Sequence, residues 1–271
     1  MTTQAKIAVT MSYKGIDTAA RISADAAKKL KALGVSFAGR YLVPPGMNKE
    51  LTAEEAKGLR DAGLSILLCW EIDAARAGRG GDVGASDGAR ARQLAQELGV
   101  PEGVTIFFAV DYFPQTGEYG RVEEYFRAAQ MAVAPYGVGI YGPYDVVEAM
   151  KQKIPELVIW QCVAWSSGRI SDKLRFYQRL GSWCSECIEI QKRVGFAVDI
   201  NDGNDLTGLW TASPPAPPWY EDTVRWAMKE GVVTEARPTD PATRAEVMQM
   251  IRNYNRRFEA EDNKTTSGLL G

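Results

Sequence analysis

The 271-residue sequence contains no histidine. That absence removes Ser–His–Asp triads, histidine-ligated zinc and the commonest general base at neutral pH. Chemistry at pH 7 therefore falls to carboxylates, with Tyr, Lys or Cys as assistants. Cysteine is also sparse: Cys69, Cys162, Cys184 and Cys187. The first two lie inside apolar, strand-like runs and read as core residues. Cys184-Ser185-Glu186-Cys187 is a lone CxxC without two further accessible ligands, so it reads as a thiol pair or local disulfide rather than a zinc site. No metal or other cofactor is required by any motif. No apolar run approaches the roughly 18 residues of a membrane-spanning helix, so no membrane insertion is expected. Net charge is only −2 and unclustered, which leaves no electrostatic footprint for nucleic acid or an anionic bilayer. Met1-Thr2-Thr3-Gln4-Ala5-Lys6 lacks the charged-then-apolar layout of a secretory signal. The expectation is a chain that stays cytoplasmic until something else releases it.

What is present is an ordinary globular composition, 45% hydrophobic and 24% charged. The length suits one large α/β domain, or one domain of about 200 residues plus a small appendage. The organising stretch is Val104-Thr105-Ile106-Phe107-Phe108-Ala109-Val110-Asp111. It is too short for a buried helix and lacks polar alternation, so it reads as a strand covered on both faces, closed by one carboxylate. Similar runs recur: a strand ending at Asp17, then 35–41, 64–71, 137–141, 157–162, 188–191 and 196–200. Helical patterns at 23–33, 52–63, 86–98, 118–134 and 144–151 separate most of them, with Ser23 or Asp25 and Thr52 as caps. Eight strand-like runs with intervening helices predict an α/β, TIM-like (β/α)8 barrel over residues 1–212.

Four of these strands end in acids: Asp17, Glu71, Asp111 and Asp199. In a parallel barrel all C-terminal strand ends share one rim, so these acids are expected to converge. Clustered carboxylates raise each other's pKa and can leave one protonated beside an ionised neighbour, the pairing that glycosidic cleavage uses. The same rim is expected to carry Arg40, Tyr41, Trp70, Tyr112, Tyr141, Trp160, Gln161 and Gln191 as substrate-binding residues. Aromatic faces, amides and Arg suit a glycan.

Residues 13 to about 205 resemble the glycoside-hydrolase-like domain related to the family 25 lysozymes. The likeness lies in Gly15-Ile16-Asp17, Gly39-Arg40-Tyr41, Trp70-Glu71, Gly84-Ala85-Ser86-Asp87-Gly88-Ala89 and Leu98-Gly99-Val100-Pro101. It continues through Ile106-Phe107-Phe108-Ala109-Val110-Asp111-Tyr112, Gly139-Ile140-Tyr141-Gly142, Trp160-Gln161 and Val198-Asp199-Ile200-Asn201. The resemblance implies a TIM-like barrel with an acidic cleft directed at bacterial peptidoglycan or another cell-wall glycan, including proteins of phage origin such as endolysins. It places Asp17, Asp111 and Asp199 among the cleft acids and matches Glu71 to an acid of the closer family. The lysozymes carry Asp-x-Glu after the fourth strand, with that Glu as general acid; here Phe113 stands in its place. Either Glu71 takes the acid role, with Asp111 as base or electrostatic partner, or the barrel binds glycan without cutting it. A third reading is an enzyme acting on another polysaccharide or on a wall amide bond.

Ser213-Pro214-Pro215-Ala216-Pro217-Pro218 is a stiff linker, 213–218. Beyond it, 219–258 is expected to form a small α-helical module, with a polar, disordered tail at 259–271. Trp219-Tyr220, Trp226-Ala227, Gly231-Val232 and Thr243-Arg244-Ala245-Glu246 resemble one S-layer homology-type module. A two-helix cap on the barrel is the other reading.

Overall fold

The computed structural model describes residues 11–180 and 184–211. The expected linker, helical module and tail at 213–271 lie outside the described residues, as does any S-layer likeness there.

The described chain is a closed barrel of eight strands joined in sequence order. They are β1 (Tyr13–Asp17), β2 (Val35–Tyr41), β3 (Ser65–Trp70), β4 (Thr105–Ala109), β5 (Gly137–Gly142), β6 (Val158–Cys162), β7 (Phe176–Leu180) and β8 (Asp199–Gly203). The helices are α1 (Ala24–Ala32), α2 (Ala53–Asp61), α3 (Gly81–Glu97), α4 (Tyr119–Val133), α5 (Tyr144–Lys153) and α6 (Ser185–Val194). Ser23 caps α1 by accepting from the Ala26 N–H, and Thr52 caps α2 by accepting from Glu55. The α2 capping box is only half made, because the Glu55 carboxylate turns inward to other partners.

Two expectations fail. Ile188-Glu189-Ile190-Gln191 is not a strand but part of α6, and β7 is Phe176–Leu180 instead. Four alternating residues mimic a strand, but Cys187, Ile190 and Val194 lie on the core side of the helix at helical spacing. The barrel is also not all parallel: β8 pairs antiparallel with both β1 and β7. Its N-terminal end therefore meets the mouth where β1 to β7 present their C-terminal ends.

Period-2 alternation sorts the strand residues between two layers. Odd-numbered positions of β2, β3 and β4, and even-numbered ones of β6 and β7, point into the barrel. There Phe37, Leu67, Phe107, Trp160 and Phe176 form one cluster. Edge-to-face contacts at 5.2–5.9 Å join Phe37, Phe107, Phe176 and Trp160. Glycines make room for these rings: a Cβ on Gly15 would fall 2.2 Å from Phe37, and one on Gly139 2.3 Å from Phe107. Leu206 and Leu209 plug the end opposite the mouth. Trp210 and Gly208 are tied there by backbone bonds to Ile66 and Thr105.

Candidate active site

The acids at the strand ends do meet. Asp17 on β1 lies opposite Asp199 on β8 in the antiparallel register. Because β8 is reversed, Asp199 reaches the mouth as its strand's first residue rather than its last. Glu71 and Asp111 leave the neighbouring strands β3 and β4, whose Trp70 and Phe108 are level. A hydrogen bond from the Asp111 N–H to the Ala74 carbonyl (3.1 Å) ties the loops carrying them.

Asp17 is the floor of this group, only 6% exposed. One of its oxygens accepts from Asn201 Nδ2 (2.6 Å) and from Gln178 Nε2 (2.9 Å). The same Gln178 amide lies 3.5 Å from an Asp199 oxygen. Tyr141 donates its hydroxyl proton to Gln178 Oε1 (2.8 Å), and Trp160 Nε1–H donates to Asn201 Oδ1 (2.8 Å). Two amides thus fix Asp17 to two aromatic residues of the lumen. Burial, then the charge of Asp199, push the Asp17 carboxyl up to about 7, against the lowering effect of its amide partners. Asp111 is half-buried, and burial, followed by the charge of Glu71, raises it above the usual carboxylate range. Glu71 itself is ion-paired with Lys49, Nζ to Oε1 3.4 Å. Among the described residues, no group of three or more His, Cys, Asp or Glu is arranged to hold a metal ion.

Gly39 exists for this floor. A Cβ there would stand 2.7 Å from Asp17 Cβ, with backbone behind it. Gly39→Ala is expected to destabilise the barrel by about 1–3 kcal/mol through overpacking and to displace Asp17, read as a lower urea midpoint at unchanged slope.

Of the eight residues expected to bind substrate, three face the lumen: Tyr41, Tyr141 and Trp160. The other five do not line it. Arg40 is 1% exposed and points between barrel and helices, where it pairs with Glu55 (2.7 Å) and donates to the Thr18 carbonyl. Trp70 packs in the outer layer with Phe108, and Tyr112 packs beneath Gly78 at the same level. Gln161 is fully buried, holding the β6–β7 connection through Ser166, Arg169 and Ser171. Gln191 is exposed on α6. The cause is the strand period: in Arg40-Tyr41, Trp70-Glu71, Asp111-Tyr112 and Trp160-Gln161 only one member of each pair can face inward. Phe113 is exposed, 48%, so no carboxylate takes the place of the lysozyme-type Glu. Gln178 was not anticipated; the alternating Phe176-Tyr177-Gln178-Arg179 was the available signal for its strand. Cys184 and Cys187 are disulfide-bonded at the start of α6, while Cys69 and Cys162 are free and buried.

The model of the Rv2525c-like, glycoside hydrolase-like domain matches residues 28–251. Among curated proteins, the uncharacterized protein YbfG of Bacillus subtilis (strain 168) is 27% identical over 246 residues, 80% of this chain and 32% of YbfG. The chain thus spans about a third of that relative. Among solved structures, the Tat-secreted protein Rv2525c of Mycobacterium tuberculosis, in complex with L-tartrate, superposes with a TM-score of 0.61 at 20% identity. That match covers 73% of this chain and 99% of Rv2525c. An uncharacterized B. stearothermophilus protein gives 0.56 at 19% identity, covering 73% of this chain and all of its own, 100%. At such identities the structural likeness establishes the fold. With a family model matching most of its length, this chain belongs to the Rv2525c-like family of glycoside hydrolase-like domains.

Proposed function

We propose that the chain is a glycosidase of bacterial cell-wall glycan, muramidase-like in its bond, working at the wall. The observation that carries this reading is the meeting of four sequence-distant acids at the open end of a barrel plugged at the other. Their protonation is divided. Asp111, raised by burial and by Glu71, keeps its proton further toward neutral pH than an ordinary carboxyl. Glu71 instead faces the Lys49 ammonium at 3.4 Å. Asp111 then donates its proton to the glycosidic oxygen as the C–O bond breaks. The Glu71 carboxylate supports the oxocarbenium-like transition state or takes a proton from the attacking water. This reverses the roles expected of these two acids from the sequence. Tyr41, Tyr141 and Trp160 form the aromatic wall beneath, and Gln178 and Asn201 tie Tyr141 and Trp160 of that wall to Asp17.

A second reading, a barrel that grips wall glycan without cutting it, is favoured by Phe113, an exposed ring where the lysozymes carry a carboxylate. Digestion of purified cell walls, followed by reducing-end assay and mass analysis of the released fragments, separates the two. New reducing ends on saccharide fragments are expected. Binding without release would support the second reading, and free peptide with intact glycan would assign the chemistry to a wall amide bond.

A further inference from the structure

Lys49 was singled out by no motif, yet it is built into the acidic mouth. The 42–50 loop doubles back on β2: the Leu51 N–H donates to the Tyr41 carbonyl (2.8 Å), and Tyr41 bridges to Glu50 as in a sheet. Asn48, at φ 58°, makes the turn in the left-handed region that Asn tolerates. The result lays the Lys49 ammonium 4.3 Å above the Tyr41 ring and 3.4 Å from Glu71. Both partners of the ion pair are largely shielded, with about a fifth of each side chain exposed (21% and 18%). The groups around Lys49 are otherwise anionic or neutral. They are Asp17 on β1, Tyr41 on β2, Cys69 and Glu71 on β3 and its end, and Asp111 after β4; its neighbour Glu50 is taken by Arg21. Among the described residues, Lys49 is the one cation in the charges acting on Cys69 and Asp111.

We infer that Lys49 is the positioning residue of the mouth: it pins the Glu71 side chain against the Tyr41 face and, as a cation beside the two neighbouring acids, keeps Asp111 able to give up its proton. Two adjacent carboxyls with no such cation would share a proton between them, and neither would hold a defined role. The inference deepens the glycosidase reading, but the device is electrostatic and works in the empty protein.

Its test is a side-chain carboxyl ¹³C NMR titration of the full chain, with the Asp111 signal assigned by its loss in Asp111→Asn. In Lys49→Met, Asp111 is expected to titrate about one to three pH units higher than in wild type. Lys49→Arg, keeping the charge, is expected to restore the wild-type midpoint. An unchanged midpoint in Lys49→Met, or an equal shift in both variants, would overturn the inference. On a cleaved glycan, the pH–rate profile of Lys49→Met should move in the same alkaline direction. Because the titration needs no substrate, a wild-type chain that cleaves no glycan would end the hydrolase reading and leave this one to stand or fall by NMR.

Discussion

Asp111→Asn is expected to lower kcat on cell-wall glycan by about 10²–10⁴-fold, the range for loss of a general acid, with little change in KM. That corresponds to about 3–5 kcal/mol of lost transition-state stabilisation. Asparagine keeps the volume and an acceptor oxygen but has no proton to give to the leaving sugar. The loss should depend on the leaving group. With an aryl glycoside whose phenolate departs unaided, most of the deficit in Asp111→Asn should vanish. Glu71→Gln, which removes the charge facing the developing cation, should stay impaired on both substrates. The opposite pattern, Glu71→Gln rescued and Asp111→Asn not, would hand the acid role to Glu71. Near-wild-type turnover by both variants would remove this pair from the reaction.

The acids could be found in the sequence because a carboxylate closing an apolar run is conspicuous, and because a barrel carries such ends to one place whatever the loop lengths. Asp199 arrives there by a route the sequence conceals. An apolar strand reads alike in both directions, so nothing in Phe196-Ala197-Val198-Asp199-Ile200 discloses that β8 runs opposite to β1 and β7. Had it run parallel, Gly203 would have faced the mouth instead. The lining residues were harder. A strand end says which level of the barrel a residue reaches, but only the register says which face it takes. Arg40, Trp70, Tyr112 and Gln161 share a level with the site and point to the other side of the sheet.

Arg40 shows what the outer face does with such a residue. Its guanidinium joins the end of β1, through the Thr18 carbonyl, to Glu55 on α2, and Glu55 also accepts from the Ile22 N–H (2.8 Å). This fully shielded pair holds the β1–α1 connection just behind Asp17, so Arg40 serves the acid floor through the backbone without touching substrate. Lys49 escaped notice for the converse reason: it lies in a loop, and its approach to Glu71 depends on a turn at Asn48 that no hydrophobic period announces.

Asp17→Asn is expected to make the barrel more stable than wild type at alkaline pH, by up to about 4 kcal/mol, and to flatten its stability between pH 4 and 7. The Asp17 carboxyl titrates at about 7 in the folded chain, against about 3.9 when unfolded. Between those values the folded state keeps a proton that the unfolded state has released. The stability contributed by this group is therefore complete below about pH 4 and drains away as the pH rises through 7. Above that, an ionised carboxylate is held in a nearly closed site against the charge of Asp199. The cost is about three decades of proton affinity at 1.36 kcal/mol each. Asparagine carries no charge; its oxygen can accept from Asn201 and Gln178, and its amide can donate toward Asp199. Urea midpoints from pH 4 to 9 decide the matter. Wild-type and variant curves that diverge above neutrality, with the variant higher, support a buried acid that stays protonated into the neutral range. Parallel curves would mean that Asp17 is already ionised at pH 5 and that the floor of the mouth carries two charges rather than one.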